Sequence, residues 1–182
     1  MRATRRVALA LDALRHGWPV EVDGVLRLLP AETGFAPGAS SATMLISCAR
    51  AATLRLGNQR DAVPEAPVVI RGAEPFGLIL AAALADPAMD LRHPFKGPFR
   101  TEPLGQPAAA ATAMELARLA GILPAYLIDP SAGGEAQVVS SSDLAEWSDP
   151  RHLHIASRAR LPIAAATTAE IAAFRSADDL RE

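Results

Sequence analysis

The stretch from Ala108 to Ala120 is the clearest helix in the chain, and the residues just after it leave few choices of fold. Met114, Leu116 and Leu119 mark a buried side, while Glu115 and Arg118 sit three apart on a wet side. Gly121 comes directly after the last apolar residue, where glycine commonly ends a helix. Pro124 to Ile128 then reads as a strand. A helix turned straight into an apolar strand must lie across the sheet that the strand joins, so the pattern predicts an α/β layer fold.

The rest of the chain repeats this alternation. Helices are expected over Ala3–His16 (stopped by Gly17), Ala49–Leu56 (stopped by Gly57), Pro75–Ala85 and Ser142–Trp147. Strands are expected over Val20–Asp23, Val25–Leu29, Thr43–Cys48, Val68–Arg71, Pro124–Ile128, Ala136–Val139 and His152–Ala156. Asp23-Gly24 between the first two strands is a tight hairpin turn. Asp86 to Pro107 contains Pro87, Pro94, Pro98, Pro103 and Pro107 and is expected to be loop. The fold class expected is α/β with a mixed β-sheet flanked by helices.

Composition narrows the function classes. At 182 residues the chain is one ordinary domain with a short extension, long enough to bury a core without disulfides or metals. Only 4% of residues are aromatic, so that core is built from Ala, Leu, Val and Ile. A net charge of −2 argues against a nucleic-acid partner. The most apolar stretch, Phe76 to Ala85, is too short to span a bilayer and is expected to be a buried helix, so no membrane partner is expected. Cys48 is the only cysteine, lies in an apolar strand, and is expected to be a small core residue of a cytoplasmic protein. Arg2, Arg5 and Arg6 with no acid before Asp12 resemble a transit peptide, but the apolar face of Val7, Leu9, Leu11 and Leu14 makes an ordinary helix the better reading.

Several anchors occur together in order. Leu116-Ala117-Arg118-Leu119-Ala120-Gly121-Ile122-Leu123-Pro124-Ala125 is similar to the helix, Leu-Ala-Gly stop and Pro-Ala strand of 3,4-dihydroxy-2-butanone-4-phosphate synthases. Ala10 to Gly17 resembles that family's opening helix, Pro30-Ala31-Glu32 a tripeptide after its first strands, and Asp90-Leu91-Arg92-His93-Pro94 its approach to a catalytic histidine. Together they cover about Val7 to Val139. The resemblance implies a dihydroxybutanone-phosphate-synthase-like fold over residues 1–157 and a homodimer.

The departures imply loss of chemistry. Those synthases act on ribulose 5-phosphate with magnesium and acid/base groups, and release formate. Here Asp23-Gly24 runs straight into Val25-Leu26 where the family has an acidic loop. The metal-binding Gly-His-Thr-Glu falls on Ala108 to Ala111, the loop histidine near Lys96, and a later carboxylate on Pro130. Methyl groups bind no cation, so the magnesium site is lost and no catalytic or metal residue is expected.

This pattern, with Lys96 to Phe99 replacing the active-site loop, resembles the non-catalytic domain that precedes GTP cyclohydrolase II in alphaproteobacteria. That resemblance implies a structural, dimerisation or regulatory role in riboflavin biosynthesis, with zinc held by the attached hydrolase and not by this chain. It also implies that residues 158–182 are a linker and the start of the hydrolase domain. Arg158 to Pro162 resembles the linker, Glu170 to Ser176 the first strand, and Asp178 to Glu182 the start of the next. In this chain the Ala-rich Thr168 to Arg175 is expected to fold back as a helix or to dock as an extension.

Other constellations carry weaker chemistry. Arg92, His93, Lys96 and Arg100 form the one basic cluster. As an anion-binding set it would support an alternative reading, a ligand-binding or weakly catalytic domain for a phosphorylated sugar or nucleotide through loop 92–100. The plainer reading is a solvated loop. His152-x-His154 could begin a metal site but reads better as edge histidines. Gly38-Ala39-Ser40-Ser41-Ala42 resembles a nucleophile elbow without its last glycine, and precedes a strand where an elbow comes after one.

Overall fold

The computed structural model describes residues 3–94, 96–166 and 168–176. A seven-stranded mixed sheet lies at its centre. The strands are β1 (Val20–Val22), β2 (Leu26–Pro30), β3 (Ser40–Ile46), β4 (Val68–Gly77), β5 (Phe99–Glu102), β6 (Ala125–Ile128) and β7 (Gln137–Val139). Their spatial order is β5-β4-β3-β6-β2-β1-β7, which puts β6, the strand entered from Gly121, in the middle. The β1–β7 pairing is parallel and the others are antiparallel.

Both faces of the sheet are covered, and its central strands accordingly carry apolar runs, Met44-Leu45-Ile46 in β3, Val68-Val69-Ile70 in β4 and Ala125-Tyr126-Leu127-Ile128 in β6. Val22, Leu28, Leu45 and Tyr126 face helices α1 (Ala3–Arg15), α4 (Pro107–Ala120) and α5 (Ser141–Trp147). Their neighbours Leu29, Met44, Ile70 and Leu127 face α2 (Cys48–Thr53) and α3 (Leu78–Ala85). Alanines 109, 110, 113, 117 and 120 form most of the buried stripe of α4 beside Leu116, while Met114 and Leu119 are only half-buried. Small side chains bring that helix close to the sheet, and the buried Tyr126 hydroxyl donates to the Ala113 carbonyl at 2.7 Å.

Gly17 ends α1 at φ +76°, with Gly17 N–H bonded to Leu14 O and Trp18 N–H to Ala13 O. A Cβ there would lie 2.0 Å from the Thr33 carbonyl oxygen, so the chain crosses itself where only glycine fits. The β1–β2 hairpin turns through Asp23 and Gly24, both at positive φ, as Asp-Gly predicts.

Several expectations need correction. β4 runs on to Gly77, so Pro75 lies in a strand and not at a helix start; a register shift opposite Ser41–Thr43 accommodates it. β3 ends at Ile46, Ser47 caps α2, and Cys48 is an exposed first helical residue, not a core one. α3 is apolar throughout yet not fully buried, since Ile79 is 91% exposed. The strand β5 lies in the proline-rich segment expected to be loop. α5 opens with a capping box in which Ser140 is the N-cap and Asp143 its reciprocal partner, so the helix begins at Ser141, one residue before the expected start.

The tail forms a hairpin and not a helix. β8 (Leu153–Arg160) pairs antiparallel with β9 (Glu170–Ser176) as a separate two-stranded sheet, with a register irregularity between Ile155 and Ser157. Ile171 and Phe174 among alanines suit a helix by themselves, but pairing with β8 decides the conformation. The strand expected over Asp178 to Glu182 lies outside the described residues.

Candidate functional site

The loop between α3 and β5 is tied down from within the fold. Asp86 caps the short 3-10 turn Pro87–Met89 by accepting from Ala88 N–H. The chain then turns inward at Asp90. Its carboxylate accepts from Arg50 Nη1 and Nη2 at 2.8 and 2.6 Å, and from the Lys96 ammonium. Arg50 Nε also donates to Leu84 O at 2.5 Å, and Lys96 Nζ to Ala83 O at 2.6 Å. Both cations thus close the C-terminal end of α3 and hold the Asp90 carboxyl far below the usual carboxylate range.

The four residues expected to form an anion site do not converge. Lys96 points into the body with its side chain 6% exposed. Arg92 and His93 are on the surface of the loop. Arg100 lies on β5, its guanidinium 3.8 Å from Glu102, which is bound more closely by Arg71. Only Lys96 and His93 line the same cleft, a space of about 410 Å³ between the end of α2 and this loop.

The other sequence candidates have structural partners. Ser41 Oγ donates to Ile128 O and Ser40 lies against Ser131, so neither is presented as a nucleophile. His152 is in a 3-10 turn and His154 on β8 opposite Arg175. Among the described residues, no three His, Cys, Asp or Glu side chains are grouped to hold a metal ion. Of the Ala108–Ala111 run, Ala109 and Ala110 face the core and Ala108 and Ala111 are exposed. Ala111 and Cys48 border a separate groove of about 640 Å³ with Met114 and Ile122, rimmed by the Glu115–Arg118 pair.

Sequence reasoning missed Arg50, Asp90 and Arg55 in this region. Arg50 and Asp90 are forty positions apart and carry no joint signal. Arg55 has one: it lies just past the end of α2, two residues ahead of the glycine expected to stop that helix.

No family model matches the chain, and no curated protein matches it at a significant level. Among the described residues no helix is long and apolar enough to cross a membrane.

Proposed function

We propose that this chain is the non-catalytic N-terminal domain of a cytoplasmic riboflavin-biosynthesis GTP cyclohydrolase II, with a dihydroxybutanone-phosphate-synthase-like fold and a structural, dimerisation or regulatory role. The anchors of that resemblance occupy coherent places: the opening helix is α1, and the Leu-Ala-Gly stop leads into β6 at the centre of the sheet. Lys96, the charged residue of the run that replaces the active-site loop, is engaged in holding the fold, on Asp90 together with Arg50 of α2.

One observation carries the reading. Every residue of β8 is exposed, as is β9 from Glu170 to Arg175, although the strands carry Leu153, Ile155, Ile171 and Phe174. A two-stranded hairpin without a covered face is marginal in water. Such an element suits the start of a further domain, here the zinc-holding hydrolase, and supports a boundary in this part of the chain, close to the 157/158 division that the resemblance implies.

The test is to read the coding DNA past codon 182 and express the longer protein. A cysteine-bearing hydrolase domain should come next, and the amides of β8 and β9 should exchange with solvent far more slowly in the longer protein than in this chain. A stop codon directly after Glu182, or equal exchange in both proteins, would contradict the reading.

A further inference from the structure

The cleft between α2 and loop 90–99 has a charge balance that its own residues do not close. Lys96 is more than nine-tenths buried on its wall and donates twice, to Ala83 O and to Asp90. An ammonium has three N–H donors, and the third has no partner among the described residues. Arg50, directly behind, is equally buried and shares the same carboxylate. Two buried cations therefore share one carboxylate, itself one-third exposed, together with the helix-end carbonyls of Ala83 and Leu84, which leaves a net positive charge at the cleft.

Arg55 makes the excess larger, and its backbone shows that its place there is not incidental. Arg55 N–H bonds to Ala52 O at 3.0 Å and Leu56 N–H to Ala51 O at 2.8 Å, the paired bonds that close a helix through a left-handed residue. At the end of α1 the same arrangement is made by Gly17. At the end of α2 it is made by an arginine at φ +59°, a conformation that costs any residue with a Cβ. Gly57, two positions on, does not take that role. The strained position puts the Arg55 side chain on the cleft, where it has no partner among the described residues. Strain kept at a cleft is a reason to look for a ligand.

We propose that this cleft binds a phosphate dianion, with Arg55 and Lys96 as its ligands and His93 on its rim. Three cations, Arg50, Lys96 and Arg55, stand against Asp90 alone, leaving an excess that matches the charge of about −1.5 to −2 on a phosphate monoester at neutral pH. Leu54, Pro94, Pro98 and Phe99 line the rest of the space and accommodate a small organic body on the phosphate. The site draws on α2 as well as the loop, leaves out Arg92 and Arg100, and does not depend on the chain being part of a cyclohydrolase.

The experiment is calorimetric titration of the chain with inorganic phosphate and with glycerol 3-phosphate at constant ionic strength, repeated on Arg55→Gly. Saturable binding of either probe is expected, and the preference between them shows whether the phosphate is taken free or on an organic body. Arg55→Gly should weaken that binding at least about tenfold, the loss of one charge-assisted contact. The same variant should keep or raise the thermal midpoint, because glycine is the favoured residue at that backbone position. A merely structural arginine would give the opposite pattern, lower stability with binding unchanged. No saturable binding of either probe up to about 10 mM, or equal affinity in Arg55→Gly, overturns the proposal.

Discussion

Lys96 donates to Asp90 from inside the fold, so the cation that stands out in the basic loop of the sequence is already committed to a carboxylate six residues before it. Arg50 shares that carboxylate. Removing the shared charge leaves both cations buried without it. Asp90→Asn should cost about 2–3 kcal/mol, the lower end for stranding buried charge, because Asp90 is itself one-third exposed and water makes up part of the loss. Urea unfolding measures it; a change below about 0.5 kcal/mol would mean the pair is an ordinary surface contact.

Asp143 ties α5 to α1. Arg6 donates to it from Nε at 2.7 Å and from Nη2, Ser140 N–H bonds it at 3.0 Å, and its carboxyl is held down to about 2, first by Arg6. A carboxyl with a depressed folded pKa adds stability above its unfolded value near 4, and that stability is lost as pH falls toward 2. Circular dichroism against pH should therefore show wild-type acid unfolding at a lower pH than in Asp143→Asn, with the two stabilities differing most above pH 4. Acid unfolding at the same pH in both proteins would contradict the assignment.

The end of α1 makes a sharper prediction. Gly17→Ala places a methyl 2.0 Å from Thr33 O and 2.8 Å from Phe35 N, both backbone atoms, at a positive φ. The loss should be about 3 kcal/mol or more, seen as a large drop in melting midpoint or in soluble yield. Gly38→Ala, also at positive φ but with open space around it, should cost only about 1 kcal/mol. Similar losses at both sites would show that the crossing at Thr33 is not tight.

What can be read from the sequence depends on how local the cause is. α1 and α4 arise from helical periodicity and from Gly17 and Gly121, each a neighbour-level signal. β6 is legible because apolar residues come directly after the stop. β5 is not, since Phe99 to Glu102 is a strand only through pairing with β4, some thirty residues away. β9 is ambiguous for the same reason: isoleucine, alanine and phenylalanine suit either conformation until β8 supplies a partner. At the site, the basic residues are visible but their directions are not. Asp90 draws Lys96 inward while Arg100 goes with the strand that carries it.

The exposed hairpin should be dispensable to the body of the fold. A chain ending before Leu153 retains both hydrophobic clusters intact. Its melting midpoint should stay within about 3 °C of the full chain. A larger fall would show that β8 and β9 support the body, and would count against the proposed domain boundary near residue 157.

Formate release is the most direct measure of the non-catalytic reading. Purified chain incubated with ribulose 5-phosphate and magnesium should yield no formate above a protein-free blank, because on the proposed resemblance Ala108 to Ala111 fall where the synthases hold their metal, and Lys96 is bound to Asp90. Formate that accumulates in proportion to the amount of protein would contradict it.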